Sequence, residues 1–245
     1  MRAQTAWAVL IVFGLAAGVA AQSNGIPATV DLIEPPSDRA ALPDPQQVGG
    51  EEGSVVHVAN LIYAGTKTSK CFSDHFLRRA ETVSEISTSH RFHAVKLSSE
   101  DLFQYPFVIM TGEGSFRLTE GERENLRKYC ERGGFLLASA GCSSEDWDKS
   151  FQREIRAIWP DVGLQPIPFD HPVFHTVHDI KTIRVKSGKP NPLKGLSVDG
   201  KLAVVYSVDG LNDTEHTSGC CCCGGNEILN AEQINVNILA YALTF

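Results

Sequence analysis

The sequence predicts an α/β protein, a three-layer sandwich in which helices cover both faces of a mostly parallel central β-sheet. Two observations lead to this prediction. Short β-rich runs alternate with amphipathic helical segments along most of the chain, and one run, FVIMTG at residues 107–112, is apolar at nearly every position. Strands buried on both faces are typical of parallel sheets, and strand-helix alternation with right-handed crossovers produces a layered α/β domain.

The first predicted elements are a strand, a helix and two further strands. Residues 55–63, VVHVANLIY, are β-rich, and residues 73–86 carry apolar side chains at helical spacing. Those apolar positions are Phe76, Leu77, Ala80, Val83 and Ile86. FHAVKLS at residues 92–98 predicts the second strand, and residues 107–112 predict the third.

The alternation continues to the end of the chain. Thr119 and Glu122 have the spacing of a capping box, so a helix is expected to begin there and to end at the following glycine pair. FLLASA at residues 135–140 predicts the fourth strand, and a helix follows as far as Pro160. After a less regular region come a late strand and a closing helix, at residues 201–207 and 231–243.

The amino terminus predicts export. Residues 1–21 combine Arg2, an apolar run over about residues 6–17, and small residues before a cleavage point after Ala21. These features are typical of a secretory signal peptide. The alternative is an uncleaved membrane anchor, but the run is shorter than the ~20 residues that span a bilayer. We therefore expect a periplasmic or secreted protein with no membrane span after cleavage.

The remaining chain divides into a linker and one domain. Residues 22–54 are rich in proline and glycine and lack apolar periodicity, so they predict a flexible linker, and residues 55–245 form the predicted α/β domain. The formal net charge is -7, from 29 acidic and 22 basic residues, and the Arg78-Arg79 pair is the longest basic cluster that we find. Nucleic acid is therefore not an expected partner, whereas a small polar ligand or a partner protein is.

Four of the five candidate ligand-binding residues lie where predicted strands end, because the crevice of an open parallel sheet lies at the carboxyl ends of its strands. These four are Tyr63, Glu113, Cys142 and Asp209, and the fifth is His171, from the less regular region. Glycines flank Glu113 and would let the backbone approach a ligand, but no nucleotide-binding fingerprint is present. Asn212 and Asp213 add oxygen ligands to the same region, although such residues are also ordinary turn formers.

Four motifs resemble a known domain family. They are TGEGSFRLTEGERENLRKYCERGGFLLAS, DKSFQREI, PFDHPVFH and NVNILAYALT, and the resemblance spans about residues 55–245. The family is the bacterial domain of unknown function 4159, which is similar to the class I glutamine amidotransferase-like, flavodoxin-like superfamily. The resemblance implies that fold and implies no established activity.

Cys142 is the candidate nucleophile if amidotransferase chemistry is retained. It follows the fourth predicted strand and precedes a helix, and a helix N-terminus favours the thiolate. The chain lacks the glycine two residues later that is usual in a nucleophile elbow, and no His-x-Glu pair occurs late in the sequence. The resemblance in fold therefore does not bring the catalytic triad with it.

Four adjacent cysteines form the most unusual stretch of the sequence: Cys220, Cys221, Cys222 and Cys223. In an oxidising compartment, one or two of them could form disulfides with Cys71 or Cys142, or two neighbours could form a strained vicinal bridge. Alternatively, Cys220 and Cys223 have a spacing that suits a metal ion, with His171, His175 or His216 as further ligands. A third interpretation is incidental drift in a glycine-rich loop. Cys130, late in a predicted helix, is expected to face the core.

His171 and His175 are four residues apart, so a helix would place both on one face, with Asp170 as its cap and Pro172 in its first turn. They are then a candidate ligand pair. The interpretation that we prefer is that His171 bonds backbone groups in a turn and that His175 is half buried.

The sequence as a whole predicts an exported binding or scaffold module without catalytic activity. One alternative is a cysteine-dependent hydrolase or thiol-redox enzyme that uses Cys142 and the four-cysteine loop. The other is a metal site of cysteine and histidine ligands, and a metal ion is the candidate cofactor.

Overall fold

A computed structural model describes residues 54–68, 71–213, 216 and 225–245. Over these residues, seven strands form one sheet in the order β2-β1-β3-β4-β7-β6-β5. The strands are β1 Val58–Ile62, β2 His93–Lys96, β3 Phe107–Gly112, β4 Phe135–Ala140, β5 Gln165–Pro166, β6 Lys194–Val198 and β7 Lys201–Ser207. The helices are α1 His75–Val83, α2 Glu120–Glu131, α3 Glu145–Ile158 and α4 Ala231–Thr244.

The sheet is mostly parallel, as the apolar strands predict. β1, β2, β3, β4 and β7 run parallel to one another, whereas β6 is antiparallel to β7, and β5 is antiparallel to β6. All six residues of both β3 and β4 are buried, because helices cover the two faces of the sheet. The predicted α/β class is confirmed. The antiparallel edge of β5 and β6 was not predicted.

Two apolar layers separate the helices from the sheet. Alternate residues of β3 point into opposite layers: Phe107 and Ile109 join the core under α1 and α4, and Val108 and Met110 join the core under α2 and α3. This alternation is the period of two that a strand imposes on its side chains. Cys130 lies in the second layer as a buried free thiol, so its expected position in the core is confirmed.

Several predicted boundaries are confirmed to the residue, namely those of β3, β4 and β7. The capping box at the start of α2 is also present, because Thr119 Oγ1 accepts from the Glu122 backbone N–H and the Glu122 carboxylate accepts from the Thr119 backbone N–H. Among the described residues, none of the helices is both long enough and apolar enough to span a membrane.

α4 is buried through its middle and still carries polar side chains. The Asn237 amide accepts from the backbone N–H groups of Val177 and His178, at 3.1 and 2.7 Å, and donates to the His178 carbonyl at 2.7 Å. Asn235 donates to the Leu211 carbonyl at 2.9 Å. Both asparagines are fully buried. They hydrogen-bond backbone groups of segments that have no strand partner, and so fix those segments against the helix.

We expect the substitution Asn237→Ala to lower the free energy of unfolding by about 2–4 kcal/mol, because it leaves buried backbone groups of residues 177 and 178 without hydrogen bonds. Urea unfolding followed by far-UV circular dichroism measures this change. The control is Asn125→Ala, which removes one hydrogen bond from a half-buried side chain to the Leu97 carbonyl. It should cost about 1 kcal/mol or less. Equal losses in the two variants would contradict the role given to Asn237.

Candidate functional site

The chain that follows β7 crosses the carboxyl edge of the sheet. The Leu211 backbone N–H donates to Ser139 Oγ of β4 at 3.0 Å, and Thr111 Oγ1 of β3 lies 3.5 Å from Asn212 Oδ1. The Asn212 carbonyl then accepts from the Ser73 backbone N–H at 2.8 Å, two residues before α1 begins. Polar residues at the ends of two buried strands thus guide this segment to the start of α1.

Four ligand-type side chains meet at that point. His75 is the first residue of α1, Glu232 lies in the first turn of α4, and Asp213 and His216 come from the segment after β7. One potential ligand atom from each of the four lies within 4.8 Å of the others. Together, these residues form the four-residue cluster, a set of two imidazoles and two carboxylates.

Each histidine of the cluster is already bonded to a carboxylate. His75 Nδ1 lies 2.7 Å from Glu232 Oε2, and His216 Nδ1 lies 2.9 Å from both carboxylate oxygens of Asp213. The two imidazole rings stack with centroids 4.2 Å apart and planes inclined by 10°. Asp213 has a left-handed φ of 52°, and its carbonyl accepts from the His216 N–H, so a backbone bond as well as the side-chain contact joins this pair.

The charges around the cluster favour a cation. The Asp213 side chain is only 11% exposed, and burial raises the pKa of its carboxyl, although His216 acts in the opposite direction. Arg79 Nε lies 3.5 Å from Glu232 Oε1 and offsets part of the negative charge. Two carboxylates against one guanidinium leave an excess of negative charge when the histidines are neutral.

His178 lies beside the cluster with an unsatisfied ring nitrogen. Its Nε2 is buried and has no hydrogen-bond partner among the described residues. Burial lowers the pKa of His178, Arg79 lowers it further, and Glu232 raises it. Burial therefore favours the neutral imidazole, the form that can coordinate a metal.

Glu227 is a second buried carboxylate in this region. Neither of its oxygens is exposed, and neither has a hydrogen-bond partner among the described residues. Burial raises its pKa to about 7, which Lys186 opposes and Asp213 reinforces. The carboxylate packs against the backbone at Gly210, where an added Cβ would lie 2.5 Å from Glu227 Oε1. Only glycine fits at position 210 while Glu227 keeps this position.

Two of the predicted ligand-binding residues have structural hydrogen bonds. The Tyr63 hydroxyl accepts from Trp147 Nε1 at 2.6 Å and donates to the Thr111 carbonyl at 3.1 Å, and burial raises the Tyr63 pKa to about 12. Asp209 is buried, and its carboxylate accepts from the backbone N–H and the side-chain amide of Asn191, at 2.7 and 3.0 Å. Both residues therefore hold the carboxyl edge together.

Cys142 lies beside Glu113 at the ends of β4 and β3. Its Sγ is 3.0 Å from Glu113 Oε1, and its left-handed φ is 53°. A Cβ on Gly225 would collide with the carbonyl group of Cys142, so the chain that follows the four-cysteine loop packs directly on this turn. The loop itself, Cys220, Cys221, Cys222 and Cys223, lies outside the described residues. Its predicted disulfides and metal ligands stay predictions.

His171 and His175 flank a short 3₁₀ helix, Pro172–Phe174, outside the four-residue cluster. His171 is the N-cap, and its Nδ1 accepts from the Val173 N–H at 3.1 Å. The expected cap at Asp170 was therefore wrong, whereas Pro172 in the first turn is confirmed. His175 is exposed rather than half buried, and bonds Asp179 at 2.8 Å and the Phe169 carbonyl at 2.6 Å.

The sequence indicated half of the cluster. Asp213 and His216 were predicted from the sequence as ligand-type residues, whereas His75 and Glu232, which are 157 residues apart, were not. A usable signal was present, because helices that follow parallel strands begin at the carboxyl edge, and both missed residues lie in the first turn of such a helix.

Comparison with known proteins identifies a domain family. The profile of a family described as a domain of unknown function, DUF4159, matches residues 57–243. The match runs from the start of β1 into the last turn of α4, and so includes every residue of the four-residue cluster. A search of curated proteins found no match.

We expect the carboxyl of Glu227 to make folding less favourable as the pH rises. The folded chain holds this proton up to about pH 7, whereas an unfolded glutamate loses it near its ordinary pKa of 4.5, so stability falls between these values. In metal-free buffer, Glu227→Gln should raise the free energy of unfolding at pH 8 by about 1–2 kcal/mol, after allowance for screening by nearby solvent. Near pH 4.5 it should change little.

Urea unfolding at the two pH values tests this expectation, with the exposed Glu131→Gln as the control. The control should stay within about 0.5 kcal/mol of the parent chain at both pH values. A Glu227→Gln variant that is no more stable at pH 8 would contradict the buried, unpartnered state of the carboxylate.

Proposed function

The chain belongs to the DUF4159 domain family, and we propose that this member is an exported, non-catalytic module that binds one zinc-class divalent metal ion at the carboxyl edge of its sheet. One observation carries the proposal. Four ligand atoms, from His75, Asp213, His216 and Glu232, lie within 4.8 Å of one another although they come from three separate parts of the chain.

The ligand set suits zinc better than magnesium or calcium. Two imidazole nitrogens with two carboxylate oxygens match the ligands that zinc takes in proteins, whereas magnesium and calcium prefer oxygen alone. Ligand atoms around a tetrahedral zinc ion are about 3.4 Å apart, given metal-ligand distances near 2.1 Å. The four atoms therefore need to contract by roughly 1.4 Å at most, which rotation of these partly exposed side chains can supply.

The histidine-carboxylate contacts of the cluster are compatible with metal binding in either of two ways. A carboxylate can remain on one ring nitrogen and orient the other toward the ion, or it can move and coordinate the ion itself. The negative charge of the cluster supports binding in both cases, and the unsatisfied Nε2 of His178 offers a further nitrogen nearby. Metal binding would also join the starts of α1 and α4 to the segment after β7.

The amino terminus and the strand order support the proposed location and superfamily. The signal-like residues 1–21 support export. The order of the five parallel strands, β2-β1-β3-β4-β7, matches that of doubly wound flavodoxin-like sheets, which supports the resemblance to the glutamine amidotransferase-like and flavodoxin-like superfamily.

Calorimetric titration of the chelator-treated protein with zinc tests the metal site. We expect one zinc ion per chain, and the variants His75→Ala and Glu232→Gln should each weaken binding by about 10- to 100-fold. The matched control is His90→Ala, because His90 pairs with Glu81 in another surface histidine-carboxylate contact. That variant should bind zinc like the parent chain.

Cysteine alkylation before the titration separates this site from the predicted cysteine ligands. Zinc uptake that survives alkylation and disappears in His75→Ala supports the four-residue cluster. Uptake that is unchanged in His75→Ala and lost on alkylation would place the metal on cysteines and overturn the proposal, as would a parent chain that binds no zinc.

The intact mass of protein from an exported preparation tests the proposed processing. We expect the mature chain to begin at Gln22, because cleavage follows Ala21. Thiol alkylation of the same protein should increase after reduction if Cys71 or Cys142 is bridged to the four-cysteine loop. Cys130 should resist alkylation in the native protein, because it is only 4% exposed. A chain that keeps Met1 would contradict the proposed export by cleavage.

A further inference from the structure

The sheet has a topological switch point between β1 and β3. The chain leaves β1 through α1 toward β2 on one side, and leaves β3 through α2 toward β4 on the other. Because α1 and α2 pack on opposite faces, the loops that follow these two adjacent strands diverge at the carboxyl edge. This divergence is where open α/β sheets form their ligand crevices.

A groove of about 470 Å³ lies at this switch point. Ala64 and Lys67 line it from the loop after β1, a three-residue run lines it from the loop after β3, and Arg153 lines it from α3. The three-residue run is Ser115, Phe116 and Arg117. The volume is that of a site for a small molecule, and these six residues include three basic side chains and no acidic one. Together, they form the switch-point groove.

The loop after β3 is held in place by α3. The Gly114 N–H donates to Ser144 Oγ at 3.1 Å, and the Phe116 N–H donates to Ser150 Oγ at 3.1 Å. Arg153 Nη2 donates to the Phe116 carbonyl. These bonds fix the backbone on either side of Ser115, so less conformational entropy is lost when a ligand binds there.

The positive charge of the groove is only partly neutralised. The guanidinium of Arg153 pairs with Glu154, which it shares with Arg123. Lys67 and Arg117 form no ion pair with any other residue in the described part of the chain. The backbone N–H groups of Ser115 and Arg117 likewise have no hydrogen-bond partner there. The groove therefore offers cations and donors in a chain whose net charge is -7.

We propose that the switch-point groove binds a small molecule through an oxyanion, either a phosphate or a carboxylate group. The planar fork of Arg117 matches both groups, Lys67 adds a point charge from the loop after β1, and the backbone N–H groups of Ser115 and Arg117 are available as neutral donors. Phe116 also lines the groove, but it is only 5% exposed, so charged and polar groups form most of the surface that a ligand can contact. This site is separate from the four-residue cluster, with which it shares no residue.

Calorimetric titration of the chelator-treated protein with inorganic phosphate and, in parallel, with citrate tests this proposal. We expect at least one probe to bind with a Kd below about 10 mM and to bind more weakly as the salt concentration rises. Arg117→Gln and Lys67→Gln should each weaken binding by about tenfold or more, the loss expected for a charge-assisted hydrogen bond. Phosphate binding alone identifies a phosphorylated ligand, and citrate binding alone identifies a carboxylate ligand.

The matched control is Arg156→Gln, which removes an exposed arginine of α3 that does not line the groove. This variant should bind the probes like the parent chain. The metal-site variant His75→Ala should do so too, because the two proposed sites share no residue. If neither probe binds, or if Arg117→Gln binds as well as Arg156→Gln while circular dichroism shows both folded, the switch-point groove is not an oxyanion site.

Discussion

Hydrogen bonding of backbone groups by two asparagines, Asn237 within α4 and Asn230 at its N-cap, is the interaction on which the irregular segment before β6 depends. Residues 174–193 contain no strand, yet several of their backbone groups lie against the core. Asn237 bonds residues 177 and 178, and Asn230 accepts from the Arg184 N–H and donates to the Thr182 carbonyl. An apolar side chain at either position would leave buried polar groups unpaired, at a cost that packing alone does not recover.

The same helix determines where the proposed metal site forms. Asn235 bonds the Leu211 carbonyl, Ser139 of β4 bonds the Leu211 N–H, and Asn212 then reaches Ser73. These contacts carry Asp213 to the start of α1, while the first turn of α4 brings Glu232 to the same place. The position of the cluster therefore follows from the hydrogen bonds that pair buried polar groups of β4 and α4 with the segment after β7. The chain that pairs them passes over the carboxyl edge.

The carboxyl edge carries two regions of opposite charge. Carboxylates exceed cations in the four-residue cluster at the starts of α1 and α4, whereas Lys67, Arg117 and Arg153 surround the switch-point groove. Both regions use loops that leave parallel strands, which the fold places at one edge of the sheet. The two proposed sites would take ligands of opposite charge, so they would not compete for the same ligand.

The sequence by itself determined the class of fold and most of its regular elements. Predominantly apolar runs such as residues 107–112 and 135–140 are typical of strands buried between two helical layers, and the capping box of Thr119 and Glu122 is a local signal. Local patterns did not indicate the short antiparallel edge of β5 and β6, because β5 has two residues and β6 has five with little alternation.

Only the tertiary structure decided which polar residues meet. Asp213 and His216 were visible as ligand-type residues in one stretch of sequence, but His75 and Glu232 join them through the packing of α1 against α4. Likewise, His171 and His175 have the spacing of a ligand pair, yet the turn around Pro172 directs both toward their own loop. Sequence spacing reports neighbours along one element, whereas a site built from several elements depends on how distant segments satisfy their buried polar groups.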